Sequence, residues 1–522
     1  MLNKKMISLI ICVLLLCTML AGCVEQQAEE VEVEVPQEVV AGLSRDAGDS
    51  PRFKVNPYLT GILETLVILD EKMEPQPWLA KSWNVSEDGL TWTLYLREGV
   101  YFHDGTPFNA DAVKVNIERI EDERPGFLGE LQSIEVIDDY VIKFTHSEPF
   151  APFIETLAWG TLFAIVSPNA IDEKGNIIEP IGTGAFKFYE HVPDDRLVMV
   201  RNEDYWGGIP KLEKITLKSI PDHLTRIMAL EAGEVDLITC ILPEHASILI
   251  NDPEITMLIE PSSTSHFLIF NNNRTPFDDV RVRQAVRYAI NTETMVEHAM
   301  EGFGIVGMGI TPPNIESWFH PEIGAPEFNP EKSRELLQEA GWVDIDGDGM
   351  MEKDGEKFKV RFALNTLYLA MYPHLTMAEI IQAQLSDVGI EVELIVLERG
   401  AYFDGLRAGE LEMCFDAFPF LTGEPDFVFY RSFHSEGDWN PRFGMFYNNP
   451  RVDELLELGK TTTNFQERRE IYHEIEEIIV DEVPLYTLMY GKNIDAIRNH
   501  VQGSHRHSIF GLYWADVYLL KR

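Results

Sequence analysis

Residues 78–108 constrain the fold more than any other part of the chain, because their turns and side-chain alternation leave few possible structures. Residues 86–89 (Ser-Glu-Asp-Gly) predict a turn in which glycine takes the permissive backbone. Residues 91–97 (Thr-Trp-Thr-Leu-Tyr-Leu-Arg) alternate apolar and polar side chains, which predicts a half-buried strand. Residues 100–102 predict a second short strand, and the pair Asp104-Gly105 predicts the turn that closes it.

A helix is predicted directly after this run. Asn109 is a suitable N-cap, and Asp111 in the first turn favours the positive end of the helix dipole. Val113, Ile117 and Ile120 then repeat at helical spacing, so we expect them to form the buried face.

The N-terminus has the features of a secretion signal. Lys4 and Lys5 precede an apolar stretch at residues 9–16. Residues 20–23 (Leu-Ala-Gly-Cys) resemble the lipobox of secreted lipoproteins, so we predict a signal peptide at 1–22 and lipid on Cys23. An ordinary signal peptide or a retained membrane anchor are the alternatives. Residues 23–38 are rich in Glu, Gln and Val, which is typical of a solvated tether.

The charge balance excludes one large class of partners. The chain has 43 Lys plus Arg against 86 Asp plus Glu, a formal net charge of −43. Nucleic acid binding needs a basic surface, so we expect no nucleic acid partner. A solvated acidic surface explains most of this charge, and a saline exterior or a cationic ligand are the alternatives.

Enzyme motifs are missing from the sequence. It contains no Gly-x-Ser-x-Gly, His-Glu-x-x-His or Walker sequence, so a secreted hydrolase would lack an evident nucleophile or zinc site. Residues 302–307 fit the dinucleotide-binding glycine pattern, but they follow a predicted helix rather than a strand. We therefore predict a binding protein and not an enzyme.

Two smaller features stay open at this level. Asp344, Asp346 and Asp348 match the opening of a calcium-binding EF-hand loop, but Gly355 stands where the final Glu belongs. A calcium loop and a solvated acidic loop are both compatible with this pattern. Cys240 and Cys414 are too few for a disulfide framework, and sequence alone does not decide whether they pair.

Seven segments in a fixed order resemble the family 5 solute-binding proteins of ABC importers, the dipeptide, oligopeptide and nickel group. They are residues 77–83, 86–89, 96–108, 180–184, 201–206, 229–236 and 279–285. The lipobox and the length of the chain agree with this family.

The resemblance implies an α/β, two-lobed periplasmic-binding-protein-like fold of type II, cluster C, with an extra subdomain in the first lobe. Lobe I would comprise residues 39–268 and 491–522, with the subdomain at about 70–200, and lobe II residues 269–490. Ligand would be enclosed as the lobes close. The protein would be a monomer, lipid-anchored at the outer face of the cytoplasmic membrane, and would dock on ABC permease subunits.

The overall likeness is greatest to the nickel-binding branch, which implies a ligand of nickel in a small carboxylate chelator. Arg124 falls at an arginine that holds carboxylate, and Phe127 at the aromatic residue beside it. His434 falls near the histidine that reaches the metal. Residues 162–164 (Leu-Phe-Ala) leave a second arginine of that branch without a counterpart. The simpler alternatives are a surface arginine and an ordinary loop histidine.

A short peptide is the alternative ligand. Peptide-binding members hold the ammonium group with an aspartate whose place here falls at Leu421, so Glu424 or Asp426 would have to replace it. Trp159 and Phe420 are further candidates to line the cleft, although aromatic residues are more often core.

Overall fold

The computed structural model describes residues 36–50, 52–369, 371–509 and 511–521. The predicted signal peptide, the lipidation site Cys23 and most of the predicted tether lie outside these residues. Residues from Gln37 onward form one compact unit. Within the described part of the chain, no helix combines the length and apolar character needed to cross a bilayer.

The strands are numbered here in chain order. They are β1 Glu38–Leu43, β2 Val67–Leu69, β3 Pro75–Pro77, β4 Ala80–Val85, β5 Thr91–Leu96, β6 Leu131–Asp138, β7 Val141–His146, β8 Phe186–Val192, β9 Arg196–Arg201, β10 Lys214–Ser219, β11 Leu237–Ile238, β12 Ile255–Phe270, β13 Ile305–Val306, β14 Glu352–Lys353, β15 Glu356–Lys357, β16 Lys359–Asn365, β17 Glu391–Leu397, β18 Met413–Pro419, β19 Leu485–Arg498, β20 Val501–Gln502, β21 Arg506–His507, β22 Gly511–Leu512 and β23 Tyr518–Leu519.

The α-helices are numbered in the same way. They are α1 Pro57–Thr60, α2 Ala110–Glu123, α3 Phe153–Thr156, α4 Gly160–Phe163, α5 His223–Glu231, α6 Pro243–Leu249, α7 Val280–Ala289, α8 Thr292–Met300, α9 Pro330–Glu339, α10 Thr366–Leu369, α11 His374–Ser386, α12 Arg399–Arg407, α13 Asp426–Phe433, α14 Trp439–Arg442, α15 Pro450–Thr461 and α16 Phe465–Glu482.

One mixed sheet runs through the body of the protein. Its order among the described residues is β17-β16-β18-β12-β19-β11-β1-β10-β9-β8, with β13 added beside β19. β1 pairs in parallel with β10 and β11, and β16 pairs in parallel with β17 and β18. Parallel pairs with helices between them are typical of α/β architecture.

Two long strands join the halves of this sheet. β12 and β19 pair antiparallel from Ile255 opposite Arg498 to Ile269 opposite Leu485, with register shifts after Pro261 and His266. β12 also pairs with β18 through residues 264–270. The shifts let each strand bend while it continues, so this pair links the parallel strands of both predicted lobes.

Strands β4 and β5, from residues 78–108, lie in a separate sheet. β4, β5, β7 and β6 pair antiparallel in that order. The predicted strand at 91–97 is observed as β5, whereas residues 100–102 form only an isolated bridge from Tyr101 to Pro107. The turn at Gly105 follows immediately, with the Phe102 amide donating to the Thr106 carbonyl, and leaves no length for a ladder.

The predicted helix after this run is confirmed as α2. The Asn109 side chain accepts a hydrogen bond from the Ala112 amide at 3.0 Å. Val113, Ile117 and Ile120 are fully buried. They belong to a continuous core that also contains residues of α13 and α16, so the subdomain packs against the second half of the chain.

Candidate ligand-binding site

Arg431 of α13 lies at a contact between the subdomain and the second half of the chain. Its guanidinium carbon is 4.9 Å from the ring centre of Phe127, 5.1 Å from that of Phe427 and 5.2 Å from that of Trp439. Its Nε donates to Asp438 at 2.8 Å. Cation–π attraction at a partly desolvated site stabilises this arrangement, so Arg431 holds Phe127 against the second predicted lobe.

Trp159 extends the same aromatic cluster. Its ring centre is 4.8 Å from Phe427 and 5.6 Å from Phe127. Its indole N–H is buried and, among the described residues, has no hydrogen-bond partner. The structure therefore brings two of the predicted site residues, Phe127 and Trp159, together at the contact between the lobes.

A cavity of about 850 Å³ lies beside Asp438 and is rich in arginine. Arg399, Arg407 and Arg442 line it, together with one acidic residue, Asp438, which is paired with Arg431. Arg407 is paired with Asp404 at 2.7 Å, but Arg399 and Arg442 have no carboxylate within 4.0 Å in the described part of the chain. Guanidinium groups bind carboxylates through paired donors, so this cavity is suited to an anionic ligand.

Arginines also gather on the subdomain side. Glu123 is 2.8 Å from Arg52 and 3.7 Å from Arg119, so one carboxylate serves two guanidinium groups. Burial, and then the nearby charge of Arg124, lower the pKa of Arg52, while Glu123 opposes them. Nε and Nη2 of Arg119 are buried with no hydrogen-bond partner in the described residues. The predicted ligand contact Arg124 is thus an exposed member of a cationic group.

The two carboxylates considered as peptide-ammonium partners have internal partners instead. Glu424 Oε2 accepts from Arg468 Nη2 at 2.7 Å, and both side chains are buried. Asp426 accepts from the Tyr472 hydroxyl at 2.6 Å. Burial and the charge of Glu424 raise the pKa of Asp426 to about 6. Phe420 is fully buried in the core beside this loop.

His434 ends α13 with both ring nitrogens directed at protein groups. Nδ1 accepts from the Glu436 amide at 3.1 Å, and Nε2 is 3.4 Å from a carboxylate oxygen of Glu457. The ring stacks on Tyr430 with centres 4.6 Å apart. Direct metal contact would require the ring or Glu457 to move, and the metal role of His434 stays a prediction.

Comparison with known proteins decides the family. The model for bacterial extracellular solute-binding proteins, family 5 middle, matches residues 74–440. The chain belongs to this family. The predicted two-lobed α/β fold of type II, cluster C, is thereby confirmed, while the lobe boundaries stay predictions. Family 5 proteins are extracytoplasmic receptors of ABC importers, which bind small molecules or peptides and work with permease subunits.

Relatives with different ligands resemble this family 5 chain. Glutathione-binding protein GsiB of Escherichia coli O1:K1 is 31% identical over 458 residues, covering 83% of this chain and 84% of GsiB. The crystal structure of NikA from Brucella suis in complex with Fe(III)-EDTA has a TM-score of 0.83 and 27% identity, covering 92% of this chain and all of NikA (100%). DppA from Helicobacter pylori in complex with peptide STSA has a TM-score of 0.75 and 28% identity, covering 93% and 98% of the two chains.

The remaining predicted features lie elsewhere in the family 5 chain. Side-chain oxygens of Asp344, Asp346 and Asp348 lie within 4.8 Å of one another on an exposed loop, and Lys357 is paired with Asp348. Calcium binding there stays a prediction. Cys240 is exposed and Cys414 is buried, and both are free thiols.

Sequence reasoning missed most of the arginines in this site. Arg52, Arg399, Arg431 and Arg442 stand in no recognisable motif, and the contact of Arg431 with Phe127 joins distant parts of the chain. The one available signal was indirect, because in a chain with net charge −43 any spatial cluster of arginines is unexpected.

Proposed function

We propose that this family 5 receptor captures a short peptide bearing more than one carboxylate, of the glutathione type, holds its carboxylates in the arginine cavity of predicted lobe II, and delivers it to an ABC permease. The observation that carries the proposal is the cavity lined by Arg399, Arg407 and Arg442. Among the described residues, Arg399 and Arg442 have no carboxylate within 4.0 Å, so an anionic ligand would satisfy them. Three arginines around one cavity favour an anionic ligand although the chain as a whole has a net charge of −43.

Likeness to known proteins supports a peptide. GsiB, named for glutathione, is 31% identical, and DppA bound to a peptide is 28% identical. The absence of an aspartate at Leu421, and the internal pairing of Glu424, argue for recognition through the ligand's carboxylates rather than through its ammonium group. Lipid attachment at Cys23 remains part of the proposal.

A nickel chelate is the second candidate, and the sequence ranked it first. The likeness to NikA in complex with Fe(III)-EDTA favours it, because that chelator is itself a polycarboxylate. The same arginines would hold such a ligand through its carboxylates. The engaged nitrogens of His434 favour a chelate that needs no imidazole from the protein.

Thermal unfolding of the purified chain tests these ligands directly, because a ligand that binds only the native state raises its melting temperature. We expect glutathione to raise it and the glutathione diamide, which lacks both carboxylates, to leave it unchanged. If nickel with histidine or citrate raises it while glutathione and other acidic peptides do not, the peptide proposal is wrong and the chelate is correct.

A double variant tests the site itself. Arg399→Gln with Arg442→Gln removes the unpaired charges and should weaken glutathione binding by at least about tenfold for each arginine, measured by calorimetry. Arg451→Gln is the matched control, because Arg451 pairs with Glu454 and Glu474 on the exposed surface. Equal affinities of the double variant and the control would exclude this cavity as the site.

A further inference from the structure

A second cavity, of about 350 Å³, lies entirely within residues assigned to lobe I. Its described walls include Trp78, Arg97, Tyr205, Trp206, Trp514 and Asp516. It shares no described wall residue with the arginine cavity. Its volume lies within the range of about 300–1,000 Å³ that is typical of small-molecule sites, and six of its wall residues are aromatic.

Arg97 is the cation of this cavity. Its guanidinium carbon lies 4.5 Å from the ring centre of Trp206, and its Nε donates to the Trp78 carbonyl. Trp78 and Trp206 meet edge to face with centres 5.1 Å apart. These contacts fix the plane of the guanidinium, so its terminal amino groups are pre-oriented toward the cavity wall they help to form.

No protein carboxylate in the described residues pairs with these amino groups. Glu64 also lines the cavity, but its four donors are the Trp78 and Trp206 indoles at 2.9 Å, the Tyr205 hydroxyl at 2.8 Å and the Thr183 hydroxyl at 2.7 Å. Asp516 lines the cavity too, and the described residues contain no ion pair between Asp516 and Arg97 within 4.0 Å. The Glu64 network therefore holds the aromatic walls in place, and the terminal amino groups of Arg97 keep their capacity to donate to a ligand.

We propose that this cavity is a second ligand site, distinct from the arginine cavity of predicted lobe II, for a small organic carboxylate with a flat aromatic body. The carboxylate would take paired hydrogen bonds from the terminal amino groups of Arg97. The ring would pack against Trp78 and Trp514. A cavity of about 150 Å³ already admits a benzene molecule, so a ring with a short acidic side chain fits the larger volume here.

Calorimetry with indole-3-acetate and the neutral indole-3-acetamide tests the proposal on the full chain in mild detergent. We expect saturable binding of the acetate and at least about tenfold weaker binding of the amide, because the amide cannot accept charge-assisted bonds from Arg97. Arg97→Gln should weaken acetate binding by a similar factor. Absence of saturable binding, or equal affinity for acetate and amide, would overturn the proposal.

Two further variants locate the binding. Ala515→Phe places a ring in the cavity without changing Arg97, and should abolish binding even if Arg97→Gln fails to fold. Arg442→Gln, in the arginine cavity, should leave indole-3-acetate binding unchanged. Retained binding in Ala515→Phe, or lost binding in Arg442→Gln, would place the probe elsewhere and refute the second site. Glutathione binding should survive Ala515→Phe, which separates this proposal from the proposed function.

Discussion

Arg468 provides the sharpest test of how the second predicted lobe is held together. Its side chain is 4% exposed and pairs with Glu424, which is 0% exposed, at 2.7 Å. Its Nε also donates to the Gly459 carbonyl at 2.8 Å. Arg468→Met keeps an unbranched side chain but removes the charge, and thereby leaves a buried carboxylate without its cation.

The expected loss in the free energy of unfolding is large. Removing one partner of a buried ion pair costs about 3–5 kcal/mol, a substantial part of a typical free energy of unfolding of about 5–15 kcal/mol. The loss should also depend on pH. Burial already raises the pKa of Asp426 to about 6, and the charge of Arg468 opposes this rise, so without Arg468 the folded-state pKa of Asp426 lies further above its unfolded value near 4. A raised carboxyl pKa stabilises the protein below the unfolded pKa, and this contribution disappears as pH rises. The variant should therefore approach the wild type in mild acid.

Urea unfolding followed by circular dichroism, at one mildly acidic and one mildly alkaline pH, measures both effects. Arg451→Met is the control, because its exposed ion pairs should contribute little. The reasoning is refuted if Arg468→Met is no less stable than Arg451→Met, or if its deficit is the same at both pH values. Either result would mean that Arg468 does not neutralise Glu424, and Glu424 would again be a candidate partner for a ligand's ammonium group.

Three further predictions follow from the same structure. Burial raises the pKa of Asp416 to about 7, so the wild type loses stability as pH rises from about 4 to 7, whereas Asp416→Asn does not. In urea unfolding the variant should gain up to about 4 kcal/mol relative to the wild type over this range. A difference in stability that stays constant across this range contradicts the burial argument. Asn109→Ala removes the cap of α2 and should cost about 1 kcal/mol, while Asn109→Asp retains the cap and serves as its control. Arg431→Gln removes the cation that contacts Phe127, so the contact between the predicted lobes should weaken. Small-angle scattering of the unliganded chain should then show a larger radius of gyration. An unchanged radius would mean that Arg431 does not hold the lobes together.

Local elements were predictable because their determinants are close in sequence. Strand β5 follows from the alternation of apolar and polar side chains at residues 91–97, and it is observed. The α2 cap depends on Asn109 and the amide three residues later. The short strand predicted at 100–102 failed because the neighbouring turn competes for the same backbone groups. The bends of β12 and β19 had no local signal, since they depend on pairing between distant segments.

The same distinction between local and distant determinants applies to the candidate site. Phe127 and Trp159 could be named from the family resemblance, and the structure places them together. Arg431 meets Phe127 although about three hundred residues separate them, and no spacing in the sequence encodes such a contact. Glu424 was a reasonable ligand candidate by position, but only the fold shows that Arg468 occupies it.

The amino-acid sequence was sufficient to identify the family of this chain and, with it, the fold and the general role of a receptor. Residues 78–108 suffice for much of this, because turn chemistry and side-chain alternation act over a few residues. The tertiary structure alone decided where charge accumulates. In the described part of this acidic chain, Arg399, Arg407 and Arg442 surround one cavity, and Arg97 lines another without an ion pair within 4.0 Å. Electrostatic complementarity depends on distances through space, which chain order does not specify.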